Sequence, residues 1–247
     1  MVGKIFTITS VIQGNGAKYV TTNLVFEFQK KYKDSKVLLI DFDFENPYLA
    51  HEYTKNDKVH GIDNIINSIS GEGLSLEIFK ENIVSTSINL DILKGTKFLN
   101  RHKNFTREII ETILNLAKSI YDYVFIVINN DTKNAGTVYS LMNADELILI
   151  TKNNYSNMEK INKVIKTLSI YYKKQKEILM IYNMKNHNAK AEVNSNLTDS
   201  NVKIIGVLDY DEKTIDNVNL AQRMGKLFTP KCVNNKIYLK IIDILKN

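Results

Sequence analysis

Two short stretches of this sequence combine residue types suited to handling a phosphate. In the first, Gly14-Asn15-Gly16-Ala17-Lys18-Tyr19 follows the apolar run KIFTITS and leads into a segment of helical character. A glycine-rich turn between a strand and a helix lets backbone N–H groups surround phosphate oxygens at the positive end of the helix dipole. The same turn needs flexible residues for steric reasons alone, so glycine by itself is a weak signal. In the second stretch, VLLIDFDF places Asp41 and Asp43 at the carboxyl end of an apolar strand. Paired carboxylates there either position a metal and a water or cap the turn that follows.

Other constellations give little. His51, His60, His102 and His187 are widely separated and share no metal-ligand spacing with one another or with Cys232, so no metal site is assigned. No Gly-x-Ser-x-Gly elbow is present to suggest an acyl-transfer nucleophile.

The elements that must carry the two stretches follow from periodicity. Short β-branched runs alternate with longer segments of helical period, the pattern of a parallel sheet covered by helices. Strands are predicted at KIFTIT, KVLLIDF, LDIL, YVFIVI, ELILIT, EILMIYN and VKIIGVL. Helices are predicted over Ala17–Lys33, Phe105–Ser119, Asn157–Tyr172 and the C-terminal NNKIYLKIIDILKN. The stretches YTKNDKVHG and MKNHNAKAEVNSNLTDSN are loops by composition. The expected fold class is α/β: a three-layer, doubly wound, mostly parallel sheet with helices on both faces.

Composition fits that class. The 247 residues are 44% hydrophobic and 24% charged, enough for one sizeable core, and a single domain over residues 1–247 is expected. The single cysteine excludes an internal disulfide, no secretory leader is recognisable, and no apolar run reaches the roughly 20 residues that span a bilayer. A cytoplasmic protein is expected. The net charge of +6 comes mostly from scattered lysines; only Arg101, Arg107 and Arg223 could make forked contacts. The surface is therefore either a lysine-rich solvated one or a non-specific DNA-binding one. In the C-terminal helix, Ile237, Ile241, Ile244 and Leu245 share a face that either packs on the core or meets a membrane; core packing is expected.

A longer stretch carries a resemblance. KIFTITSVIQGNGAKYVTTNLVFEF through VLLIDFDFENPYL resembles the opening of the MinD/ParA family of P-loop ATPases, which read approximately TSGKGGVGKTTxxxNLA and then VLLIDxDxxxPxL. Downstream, GIDNIINSI, LDILKG, YDYVFIVINND, ADELILITKNN, KEILMIYNM and KIIGVLDYDEKTIDNVNLAQRMGKL resemble the family's later segments in order, so the likeness covers nearly the whole chain. It implies a P-loop NTPase-like fold, ATP or ADP as ligand, protein partners, a homodimer, and a bacterial positioning or partition role. Nucleotide contacts are implied at Gly14, Asn15, Gly16, Ala17, Lys18 and Tyr19, with Asn183 at the position that contacts adenine in relatives or serving as an ordinary turn asparagine.

The register exposes losses. Ile12 stands at the family's cross-dimer lysine, Ala17 at the loop lysine, Lys18 at the magnesium-binding Ser/Thr, and Val127 at the acidic strand-end residue. Sliding the loop by one residue makes Lys18 the phosphate lysine but leaves the hydroxyl missing, because Tyr19 and Val20 follow. Tyr19, bulkier than Thr, is expected to crowd the entry. Phosphoryl transfer is catalysed by positioning and by charge stabilisation, so hydrolysis should be weak or absent. Asp41, Asp43 and Lys18 are the only catalytic candidates, nucleotide should bind weakly, and magnesium should help little. The CpaE/TadZ branch, which helps place pili, also tolerates atypical loops. Three readings stay open: a degenerate assembly or positioning factor acting through protein contacts, a slow or partner-activated ATPase, and a non-specific DNA-binding scaffold.

Overall fold

The central strands of this chain bury both faces, and alternation along them sends successive apolar residues to two different cores. In the computed structural model, residues 3–47, 61–68, 73–86, 89–98, 104–172, 177–185, 197–198, 201–210 and 234–246 are described. Eight strands form one sheet: β1 (Lys4–Ser10), β2 (Val37–Phe42), β3 (Ile83–Ser85), β4 (Leu90–Leu93), β5 (Tyr123–Ile128), β6 (Glu146–Lys152), β7 (Ile178–Lys185) and β8 (Val202–Asp209). Their order is β3-β4-β2-β5-β1-β6-β7-β8. Every pairing is parallel except that of β3 with β4.

Leu38, Ile40, Val124, Ile126, Leu147, Leu149 and Met180 join one core, and their neighbours Val37, Leu39, Phe125, Val127, Ile148, Ile150 and Ile181 join the other. This period of two is the strand geometry itself. The first face is covered by α2 (Ile62–Ser68), α3 (Leu76–Glu81), α4 (Arg107–Ile120), α5 (Ala135–Asn143) and α6 (Tyr155–Ser169). The second is covered by α1 (Ala17–Lys31) and α7 (Asn235–Lys246). The expected three-layer α/β fold is present.

Helix α1 lies deep, with every residue from Val20 to Gln29 buried between the sheet and α7. It ends at Lys31, two residues short of the predicted end, where Tyr32 takes a non-helical conformation. Helix α6 begins earlier than predicted because the Asn154 side chain accepts the Asn157 N–H and caps it. Helix α7 is a packing helix: Tyr238, Ile241, Ile242 and Leu245 are buried, and Lys31 and Asp243 pair between α1 and α7. Of the predicted face, Ile241 and Leu245 are buried and Ile237 packs partly buried against the core, whereas Ile244 is 38% exposed and Tyr238 and Ile242 take inward positions. Among the described residues, no helix is long and apolar enough to cross a membrane.

The predicted loop YTKNDKVHG, apart from Gly61, and most of MKNHNAKAEVNSNLTDSN lie outside the described residues, as do the four histidines, Cys232, Arg101 and Arg223.

Candidate nucleotide-binding site

Strand β1 is central, flanked by β5 and β6, and the glycine loop leaves its carboxyl end at an edge shared with β2 and β5. Both loop glycines are required by the backbone. Gly14 and Gly16 have φ of +86°, and Gly16 directly precedes the first turn of α1. Space is a second constraint at Gly16, where an added Cβ would lie 2.4 Å from the Asn183 side-chain nitrogen; at Gly14 nothing lies within 4 Å.

Asn183 sits on β7, buried beneath the loop, and its Nδ2 donates to the Asn15 carbonyl at 2.8 Å. Asn15 is buried too, and its side chain meets Asn157 of α6. Asn157 in turn donates to Asn154 at 2.6 Å and accepts from Thr151 at 3.3 Å. From the other side, Asn130 Nδ2 donates to the carbonyls of Ser10 and Val11 at 3.2 and 2.9 Å. Asn129 Oδ1 accepts from Asp131 N–H, Asn134 and Thr137, which forms the entry to α5. The loop is thus held in shape by asparagines of three neighbouring strand ends. Sequence reasoning gave no site role to Asn129, Asn130, Asn154 and Asn157; the available signal was that Asn129 and Asn130 directly follow the predicted strand YVFIVI and that Asn154 and Asn157 lie between ELILIT and the first turn of the next predicted helix.

In front of the loop is a cavity of about 360 Å³ lined by Gly14, Gly16, Ala17, Lys18, Asp43, Glu45, Val127, Asn129 and Asn130 among others. Of the predicted site residues, Gly14, Gly16, Ala17, Lys18 and Asp43 come together there, while Asn15, Tyr19, Asp41 and Asn183 do not line it. Tyr19 packs partly buried against the α1/α7 core, so the expected crowding of the entry is not found. Side chains one residue apart on α1 diverge by about 100°, which sends Tyr19 toward the core and leaves Lys18 at the cavity.

The carboxylates do two jobs. Asp41 Oδ1 accepts the Asp43 N–H at 3.1 Å, and Asp43 Oδ1 accepts the Asn46 N–H at 3.2 Å, so one oxygen of each caps the turn leaving β2. The remaining oxygens face Lys18: its Nζ lies 3.1 Å from Asp43 Oδ2 and 3.9 Å from Asp41 Oδ2. The ammonium nitrogen is buried, and its orientation makes these contacts an ion pair rather than an aligned hydrogen bond. Opposite Asp41 in the β2–β5 register stands Val127, 1% exposed, so the carboxylate's cross-strand neighbour is apolar. Magnesium does not fit these residues. An ammonium already sits against the two carboxylates that would ligate it.

The structure aligns along its length with known structures. A ParA family ATPase from Chlorobium tepidum TLS matches with a TM-score of 0.78 and 19% identity over 99% of both chains. The fold is that of the ParA/MinD ATPases. A plasmid partition protein from Borrelia burgdorferi B31, bound to AMPPNP, matches with a TM-score of 0.73 and 20% identity over 99% of this chain and 98% of that one. MinD from the Aquifex aeolicus MinC:MinD cell division complex matches with a TM-score of 0.73 and 18% identity over 99% and 96%. No protein-family model and no curated protein matches the sequence.

Proposed function

We propose that this chain is a degenerate MinD/ParA-like protein that acts as a positioning, partition or assembly factor through protein contacts, with little or no ATP hydrolysis. The observation that carries the reading is the fate of Lys18. Among the described residues lining the cavity it is the sole cation, and its charge is committed to Asp41 and Asp43. Ala17 brings no charge, and Asp43 and Glu45 line the same cavity as acids, so a polyphosphate would meet net negative charge. Backbone donors at the start of α1 remain, and these hold phosphate without side-chain help.

ATP or ADP therefore binds weakly, with an affinity poorer than about 1 μM, or above about −8 kcal/mol, and with little preference between the two. The AMPPNP-bound partition protein supports nucleotide as the ligand class, and the MinC:MinD complex supports action through a protein partner. A homodimer in the cytoplasm and kinship with the loop-tolerant CpaE/TadZ branch belong to the same proposal.

The test is phosphate release from ATP and magnesium by the pure protein, beside an intact ParA or MinD protein. The expected rate is at least about a hundredfold lower, since removing one transition-state donor alone commonly costs that much. Turnover comparable with the intact protein would overturn the reading.

A further inference from the structure

We infer that Lys18 is a tethered cation: its ammonium takes the place of a divalent metal between the α1 entry and the turn after β2, and so fixes that junction in one state irrespective of nucleotide. The inference deepens the proposed function and rests on it for the identity of the cavity.

Four observations converge. The Oδ2 atoms of Asp41 and Asp43 both face the Lys18 nitrogen, at 3.9 and 3.1 Å, while the Oδ1 atoms cap backbone N–H groups. Lys18 is on the first turn of α1, and the carboxylates flank the end of β2, so the ion pair bridges two elements across the cavity mouth. The ammonium nitrogen is buried, unlike a surface lysine swinging in solvent. Finally, the turn it holds is also pinned from behind. Phe44 is 1% exposed and stacks on Phe105 at 4.3 Å, its ring leaves no room for a Cβ at Gly136, and Pro47 and the Asp41 carbonyl crowd Gly95 in the same way.

A divalent ion is a removable bridge, bound through oxygen ligands that it holds only while it stays. A lysine is covalently attached, so the bridge it makes is always present at an effective concentration set by the fold. In a site where metal and nucleotide would otherwise decide the position of the turn, the chain carries its own cation and the decision is made on folding. A divalent ion entering this place must displace the ammonium from both carboxylates, whose Oδ2 atoms it already holds.

The experiment is a titration of the full chain with Mn²⁺, followed by the loss of the free-ion electron paramagnetic resonance signal, for the natural protein and for Lys18→Thr. Removing the ammonium leaves two carboxylates and a hydroxyl, all hard oxygen donors suited to Mn²⁺. Lys18→Thr is expected to bind one Mn²⁺ at least about tenfold more tightly than the natural protein, and to lose that gain when combined with Asp41→Asn. Equal affinity in the two proteins, or a folded Lys18→Thr that gains nothing, overturns the inference. Should Lys18→Thr not fold, the natural protein decides: no bound Mn²⁺ supports the tethered cation, and one bound Mn²⁺ lost in Asp43→Asn refutes it. Hydrogen exchange of the residue 43–46 amides gives a second readout. It is expected to be unchanged by ATP with magnesium in the natural protein, and a response there also refutes the inference. Rapid ATP turnover alone would sink the proposed function without touching the Mn²⁺ result.

Discussion

Replacing Gly16 with alanine tests whether the loop is held as the asparagine contacts imply. Two costs add. The backbone at Gly16 has φ of +86°, a region that costs a residue with a Cβ about 1–2 kcal/mol. The new Cβ would also lie 2.4 Å from Asn183 Nδ2, so the amide must move away and abandon the Asn15 carbonyl it reaches at 2.8 Å. Leaving a buried acceptor unpaired costs a further ~1–3 kcal/mol. The expected loss for Gly16→Ala is therefore about 2–5 kcal/mol, read as a fall in the denaturant midpoint at constant slope. Gly14→Ala is the internal control: its φ is the same, nothing lies within 4 Å, and only the backbone cost of about 1–2 kcal/mol applies. In an Asn183→Ala background the extra cost at Gly16 should vanish, because the group it strikes is gone. Equal losses for the two glycine variants in the natural background would refute the argument and mean that Asn183 is not clamping the loop.

Two further outcomes follow from the cores. Ile241→Ala in α7 should cost about 2–5 kcal/mol, because Ile241 is fully buried and its side chain lies where a Cβ on Gly206 would go, whereas Ile244→Ala should stay within about 0.5 kcal/mol. Similar losses at both positions, measured by thermal or denaturant unfolding, would mean the helix buries a different face. Burial pushes the Tyr172 and Tyr182 hydroxyls up to about 12. An unfolded tyrosine ionises near pH 10, so the folded state holds more protons between about pH 10 and 12; stability is full below that window and falls through it. Phenolate absorbance during unfolding at pH 11 checks this, and an unfolding midpoint identical at pH 9 and pH 11 would contradict it.

Much of the frame was legible because a sheet buried on both faces writes itself as uninterrupted apolar runs. VLLIDF and YVFIVI were readable as central strands without any knowledge of their neighbours. Strand β3 was not, since three residues pairing antiparallel at an edge carry no period. Helix α5 was not either: AGTVYSLMN contains weak helix formers and starts because Asn134 accepts the Thr137 N–H at 2.8 Å. In α7 the predicted face holds at Ile241 and Leu245 and misses at Ile244, because Tyr238 and Ile242 present their side chains to the core, a choice that hydrophobicity alone does not make.

For the site, the glycine loop and the acidic pair were readable from local sequence, since each comes at the end of an apolar strand run. The destination of Lys18 was not. Its partners lie on β2, and only the sheet order brings them beside the start of α1. Asparagines likewise read as loop residues one at a time, and become a clamp only when the ends of β1, β5, β6 and β7 converge.

Helix α1 becomes a core element only when α7 covers it, and α7 begins at Asn235, long after α1 ends at Lys31. A ribosome adding about 5–20 residues per second needs roughly 10–40 s to make the intervening chain. During that interval the apolar side of α1 that will meet Tyr238, Ile241 and Leu245 has no covering helix, although β1 and β2 are already made. The nascent chain therefore presents a greasy, helix-shaped surface for tens of seconds, and its yield in the cell should depend on chaperones that shield such surfaces more than its final stability would suggest.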